Sequence, residues 1–200
     1  QLGITSEERI TNSIQNLEYA LANSFNQLTH PKSRKIAALK GNGELDDKFI
    51  ADFFSTLRDS YYIAPFTLDS LSNSPAKTLE QIKEFDLLII ARPTKKFTEK
   101  EKYLLDQYIM SGGSTLWLID KVQFVNDSVG GNDFAFARDL NLTDFFFRYG
   151  IRVNSNLVKD LYSTPIILAS GEERESQYNR YPWFYNPLSA SNSKHPITTN

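Results

Sequence analysis

Residues 84–120 constrain the fold more than any other stretch. Phe85-Asp-Leu-Leu-Ile-Ile-Ala91 is a short apolar run, acidic at its start and closed by Arg92-Pro93. That length, rich in Leu and Ile, predicts a fully buried strand. Thr98-Glu-Lys-Glu101 follows, a Thr with Glu three residues on, the pattern of a helix capping box. The helix it opens carries Tyr103, Leu104, Leu105, Tyr108 and Ile109 and stops at Gly112-Gly113. Ser114-Thr-Leu-Trp-Leu-Ile-Asp120 predicts a second buried strand. Strand, capped helix, glycine turn and strand make one right-handed βαβ unit, and hence an α/β domain with a parallel sheet.

The segments before it extend the same pattern. Thr5-Ser-Glu-Glu8 is a capping box, and Ile10, Ile14, Leu17, Leu21, Phe25 and Leu28 follow at spacings of four, three, four, four and three. One apolar stripe results, on a helix of about 24 residues and roughly 36 Å. It can pack across the domain, continue a stalk or pair with a partner helix; His30-Pro31 ends it. Arg34 to Lys40 predicts a first strand and Gly41-Asn-Gly-Glu44 a turn. Asp46 or Asp47 caps the helix carrying Phe49, Ile50, Phe53, Phe54 and Leu57. Tyr61 to Leu68 predicts the next strand, and Pro65 puts it at a sheet edge or a break. Asp69 to Pro75 is a Ser/Asn/Pro loop, and Thr78 to Phe85 a short helical or irregular approach to the strand at Asp86. The first 120 residues thus give an open, mostly parallel sheet with helices on both faces.

Beyond Asp120 the pattern weakens. Residues 121–139 are polar, contain Gly130-Gly131, and are expected to loop over the C-terminal edge of the sheet. Leu140 to Tyr149 predicts a short helix ending at Gly150, with Asn141 as its cap and Asp144 three residues on. Residues 151–153 and 157–158 are short extended pieces, Thr164 to Ala169 another strand, and Gly171 to Asn179 a charged turn. From Arg180 onward Tyr181, Trp183, Phe184 and Tyr185 crowd between prolines without a helix or strand period. The expected organisation is a long helix over residues 1–30, an α/β domain over 31–180, and an aromatic, Pro-rich segment over 181–200 leading to a following domain.

Composition narrows the function classes. A net charge of −2 and no Lys/Arg run longer than Lys95-Lys96 give no basic face for nucleic acid. With no cysteine, disulfides, thiolate nucleophiles and thiolate metal sites are excluded. No apolar run approaches the roughly 20 residues of a membrane span. The chain starts at Gln1 without a signal peptide, as expected of a soluble piece of something longer or of trimmed ends.

In an open α/β sheet a ligand lies beyond the carboxyl ends of the strands. Those ends carry Gly41-Asn-Gly-Glu44, Thr67/Asp69, Arg92-Pro-Thr94 and Asp120. The glycines would let backbone N–H groups approach an anion. Yet neither G-x-G-x-x-G nor a Walker motif is present, and Glu44 would repel a phosphate, so turn geometry explains them better. Asn42, Glu44, Arg92 and Asp120 are the candidate ligand-binding residues of this crevice. Glu44, Asp46, Asp47, Asp69 and Asp120 are oxygen donors for a hard cation only if the fold gathers them, and capping and solvation account for them more simply. No metal site or cofactor is expected. No Ser lies in G-x-S-x-G, and the only histidines are His30, at a helix end, and His195, in the tail, so no catalytic residues are expected. Phe145-Phe-Phe147 cannot all face one side of a helix, being about 100° apart. That helix is therefore buried on several faces or meets a partner. Residues 178–185 have the Tyr/Trp content of interfaces, or of a satellite core. Phe145, Trp183 and Tyr185 are the candidate contacts.

With these residues in place the chain resembles a known family, the auxiliary components of ABC-type uncharacterised transport systems, in particular the gliding-motility-associated GldG group of Bacteroidetes. The matching features are Lys35-Ile-Ala-Ala-Leu, Gly41-Asn-Gly-Glu44, Asp86-Leu-Leu-Ile-Ile-Ala-Arg-Pro93, Phe97-Thr-x-x-Glu-Lys102, the helix through Tyr108-Ile109 to Gly112-Gly113, and Leu116-Trp-Leu-Ile-Asp120. Tyr149-Gly-Ile151, Leu157-Val-Lys-Asp160, Pro182-Trp-Phe-Tyr-Asn-Pro187 and His195-Pro-Ile197 extend the match over nearly the whole chain. The resemblance implies the periplasmic domain of a membrane-anchored, inner-membrane protein, with a membrane segment before Gln1 and a further domain and membrane segment after Asn200. Its implied fold is flavodoxin-like or like a class I glutamine amidotransferase, as in a related domain of an intraflagellar transport subunit. The amidotransferase Cys is missing here, so a non-catalytic interaction or scaffold domain is implied. Implied partners are the ABC transporter membrane and ATPase subunits and the gliding and secretion machinery; the long first helix separately leaves a homodimer open. A small-molecule (for example saccharide) binding module and a degenerate hydrolase are the alternatives.

Overall fold

The computed structural model describes residues 6–68, 74–127, 132–170 and 177–190. The chain divides into two compact units, residues 1–120 with 138–153, and residues 121–137 with 154–200.

The first unit contains α1 (Ser6–Thr29), β1 (Lys35–Lys40), α2 (Asp47–Arg58), β2 (Tyr62–Thr67), α3 (Pro75–Ile82), β3 (Leu87–Ala91), α4 (Glu99–Met110), β4 (Ser114–Leu118) and α5 (Thr143–Arg148). The four strands pair in parallel in the order β2-β1-β3-β4. Pro65 sits in β2 opposite Ala38, on the edge strand, where its missing N–H costs no central ladder bond. The caps follow the sequence: Asp46 accepts from the N–H of Lys48 at the start of α2, and Thr98 with Glu101 forms the capping box of α4. The box expected at Thr5 lies outside the described residues.

Strand periodicity sorts the core onto two faces of the sheet. Ala37, Leu39, Leu88 and Ile90 point to one face and pack with Ile82, Leu104, Leu105, Tyr108, Phe145 and Phe146 from α3, α4 and α5. Ile36, Ala38, Ile89 and Ala91 point to the other and pack with Ile50 and Phe54 of α2. A fully buried Leu or Ile contributes about 1.5–3 kcal/mol, so β1 and β3, buried on both faces, anchor the unit. β4 departs from expectation. Trp117 joins the first core, but Leu116 and Leu118 on the opposite face are 37% and 44% exposed. An edge strand is covered only where a helix reaches it, and a local run of apolar residues carries no information about that.

The second unit contains β5 (Val122–Asp127), β6 (Asn132–Ala137), β7 (Ile166–Ser170) and β8 (Gln177–Tyr181). β5 and β6 form one antiparallel hairpin, and β7 and β8 another. The hairpin corrects the expected loop over residues 121–139; Gly130-Gly131 lie outside the described residues. The turn expected to run to Asn179 gives way at Gln177 to β8, and residues 171–176 lie outside the description. Residues 160–164 and 184–188 also run antiparallel: Asp160 N–H donates to Phe184 O (2.9 Å), Thr164 N–H to Asn186 O (3.0 Å) and Leu188 N–H to Tyr162 O (2.9 Å), around a Ser163–Pro187 bridge. Backbone pairing thus orders a segment in which no side-chain period was visible. Residues 151–153 and 157–158 form no strand.

Candidate functional site

The carboxyl ends of β1, β3 and β4 meet in a set of short loops. Gly41 and Gly43 both have positive φ (121° and 71°), which lets the chain reverse within two residues of β1. At Gly43 a Cβ would lie 2.2 Å from Thr94 Oγ1, so the residue is Gly for space as well as for conformation. The turn presses Asn42 inward until it is only 4% exposed.

Asn42 is then held from four sides. Its carbonyl accepts from Thr94 N (3.0 Å) and Lys95 N (2.8 Å), its N–H donates to Glu44 Oε2 (2.9 Å), and its Nδ2 donates to Glu101 Oε1 (3.1 Å). Thr94 Oγ1 donates to Gly43 O (2.9 Å) and the N–H of Leu45 to Ala91 O (2.9 Å). Glu101 does two things at once: Oε2 completes the α4 capping box through the N–H of Thr98 (2.6 Å), while Oε1 reaches Asn42. The bond to Glu101 fixes the amide orientation, because a carboxylate can only accept. Asn42 Oδ1 is consequently left buried with no donor among the described residues, and so is Glu44 Oε1. Burial raises the Glu44 carboxyl above its ordinary value of 4.5 against the backbone bonds and Lys40 that lower it.

The four candidate crevice residues are joined as two pairs. Asn42 and Glu44 form the buried pair. Arg92, at φ 51°, sets its Nε 3.4 Å from Asp120 Oδ2, with both side chains about half exposed, and its N–H donates to Leu118 O (2.7 Å). An exposed pair of that kind contributes little to stability. Of the residues that clamp Asn42, Thr94 stood out in the sequence only as part of the Arg92-Pro-Thr94 strand end, and Lys95 and Glu101 were not singled out as site residues. The capping box pointed to Glu101, but only as a helix start.

Among the described residues no group of three or more His, Cys, Asp or Glu gathers as a metal would require. Asp69 and His195 lie outside them. His30 sits at the end of α1, its Nδ1 2.9 Å from Thr29 Oγ1. A family model described as ABC-type uncharacterized transport system, an auxiliary component, matches residues 33–200. The chain belongs to that family. It is an auxiliary domain of an ABC-type transport system. Comparison with curated proteins gave no match. Among solved structures the chain is similar to the mmIFT52 N-terminal domain, at 20% identity and a TM-score of 0.48, over 74% of this chain and 65% of that one.

In this auxiliary domain the expected contact residues separate. Phe145, a candidate contact in the sequence, belongs to the core: it is 3% exposed and packs with Phe146 around Trp117, at 5.7 and 5.0 Å between ring centroids. The exposed aromatic of α5 is Phe147, at 74%. Asn141 does not cap α5. Its φ is 57°, and its Nδ2 donates to Phe97 O (2.9 Å) and Glu99 Oε1 (3.0 Å), while Leu142 occupies the cap position without a side-chain bond. The helix is instead fastened by Asp144, whose carboxylate lies 2.9 Å from Lys102 Nζ on α4. Lys102 is nearly buried; burial lowers its pKa, but Glu99 and Asp144 outweigh that and hold it above the usual lysine value. In the second unit Trp183 and Tyr185 pack edge to face at 5.8 Å and remain 41% and 48% exposed. Tyr178 and Tyr181 of β8 are exposed as well.

Proposed function

We propose that the chain is the periplasmic protein-interaction domain of a membrane-anchored auxiliary component of the GldG type, serving gliding motility. One observation carries the interaction role: Trp183 and Tyr185 are held against each other by their own rings, yet about half of each stays in solvent. Large aromatic side chains that remain exposed contribute contact area and are enriched in interface hot spots. The partners are the membrane and ATPase subunits of the transporter, with the gliding and secretion machinery beyond them. The energy of nucleotide hydrolysis belongs to the ATPase subunit, since no P-loop occurs in this sequence. No described helix is long and apolar enough to cross a membrane. The strand order β2-β1-β3-β4 supports a flavodoxin-like or amidotransferase-like fold without the nucleophilic Cys.

The test is crosslinking in native membranes with the complete protein, followed by mapping of crosslinks to this region. Reproducible crosslinks from residues 177–190 into transporter subunits are the expected result. Recovery of the protein alone would overturn it.

A second account is favoured by the two buried oxygens that lack donors, Asn42 Oδ1 and Glu44 Oε1. They lie beside the β1/β3 switch point, where open α/β sheets bind small molecules, and a ligand carrying hydroxyl or ammonium donors, such as a saccharide, would satisfy them. A bound small molecule retained through purification, and lost in Asn42→Ala, would establish it; an empty protein in native mass spectra would rule it out.

A further inference from the structure

We infer that α1 is a dimerisation helix, and that its partner is α1 of a second copy in a parallel two-stranded coiled coil. This deepens the interaction role by assigning a surface the transporter contacts do not use.

The first observation is exposure. Ile10, Ile14, Leu17, Leu21, Phe25 and Leu28, the most apolar residues of the helix, are 52–82% exposed, although the same unit buries its other Leu and Ile runs. The second is propensity. α1 is rich in Asn, Ser and Thr (Thr11, Asn12, Ser13, Asn16, Asn23, Ser24, Asn26), and the hydroxyls of Ser13, Ser24 and Thr29 bond back to carbonyls four residues earlier. Residues of this kind are mediocre helix formers, and a 24-residue helix of them holds its shape only by burying a face. The helix therefore needs a partner.

Three features select a second copy. Ile10 and Leu17 fall at d positions and Ile14, Leu21 and Leu28 at a positions of one heptad register, the seam that pairs helices. The flanking e and g positions are Thr11, Glu18 and Phe25, and Ser13, Ala20 and Gln27, so between Ile10 and Leu28 no like charges oppose one another when two identical helices align. The stripe exposes on the order of 700 Å² of side chain per helix, so pairing removes roughly 1,200 Å² or more, within the range of stable interfaces. Ser24 decides direction. At a d position, it meets Ser24 of the other copy in a parallel pair, and the other layers from Ile10 to Leu28 are apolar; Glu7, also at an a position, lies in the first turn of α1 outside this run. In an antiparallel pair it would oppose Ile14 twice. A membrane surface is the poorer occupant, because the helix carries Glu7, Glu8 and Glu18 against a single Arg9, whereas surface-bound helices are basic.

The absence of cysteine makes the test clean. Sedimentation equilibrium of the 200-residue chain up to about 100 μM should give a mass twice 22.9 kDa. Leu17→Glu with Leu21→Glu should weaken association at least 100-fold with the α/β unit still melting cooperatively. Asn23→Glu, on the polar face, should leave it unchanged. Under oxidation Leu28→Cys should form a covalent dimer and Asn23→Cys should not. A monomer at all concentrations, or a dimer indifferent to the Leu17/Leu21 change, would overturn the inference. A monomer that still crosslinks to transporter subunits through residues 177–190 would overturn it and leave the interaction role intact.

Discussion

The ring of Tyr108 fills the space that any side chain at position 113 would need. A Cβ built on Gly113 falls 2.3 Å from Tyr108 Cζ, and the Tyr108 hydroxyl donates to Phe85 O at 2.9 Å. The ring thus ties the end of α4 to the start of β3, across the first turn of β4. Gly113→Ala should cost about 1–3 kcal/mol through overpacking, and Tyr108→Phe about 1 kcal/mol through the lost hydrogen bond. Denaturant unfolding of both variants checks this; a neutral Gly113→Ala would mean the ring is free to move.

The same phenol titrates late. Burial, with Asp86 adding to it, pushes Tyr108 up to about 12, and burial with the Asp106 hydrogen bond (2.7 Å) does the same for Tyr149. A phenol whose folded pKa is raised adds nothing to the pH dependence below its ordinary value of 10.0. It removes stability as pH climbs from there toward the folded value. Ultraviolet titration should show a late-ionising fraction among the ten tyrosines, smaller in Tyr149→Phe, with unfolding setting in at alkaline pH.

Acid should loosen α5 first. Asp144 and Glu99 are held below their ordinary values of 3.8 and 4.5, chiefly by hydrogen bonds to Lys102. Depressed carboxyls contribute fully above those ordinary values and lose the contribution as pH falls through the folded ones. Lys102→Met should therefore flatten the acid limb of the stability curve. At neutral pH it should cost only about 1 kcal/mol, because the Asp144 carboxylate is half exposed and screened.

Glu44 runs the other way. Its folded pKa is raised by burial, so its stability contribution is present below the ordinary value of 4.5 and is lost as pH rises through the folded one. Glu44→Gln, which keeps an oxygen to accept from Asn42 N–H, should be more stable than the parent at pH 7 and equal to it near pH 3. Thermal melts at the two pH values decide; destabilisation at pH 7 would mean the carboxylate has a donor partner in solution.

Much of the first unit was legible in the sequence because its signals are local. The Thr98/Glu101 box, the Asp46 cap, the glycine stop after Met110 and the edge proline in β2 each act within a few residues. What was missed is set at a distance. The half-open face of β4 depends on which helices reach it. The β5–β6 hairpin depends on pairing between Val122–Asp127 and Asn132–Ala137, whose polar residues read as loop. Asn141 satisfies the Phe97 carbonyl instead of capping the next helix. In the candidate crevice the glycines and Glu44 were visible, but the burial of Asn42 was not, since it rests on a second oxygen of a capping glutamate 59 residues away.

Phe145 and Phe147 show the same limit and give a further test. Phe145→Ala should cost about 3–5 kcal/mol by emptying the space against Trp117, whereas Phe147→Ala should be within about 0.5 kcal/mol of the parent. Equal effects would mean that α5 is rotated from its described position.

The most direct measurement of the central claim is co-purification of transporter subunits with the complete protein, comparing the parent with Trp183→Ala/Tyr185→Ala. The account predicts that the double variant accumulates normally and loses the subunits, while Asn42→Ala retains them. Undiminished capture by the aromatic variant, with loss in Asn42→Ala, would contradict it and place function at the crevice of β1 and β3.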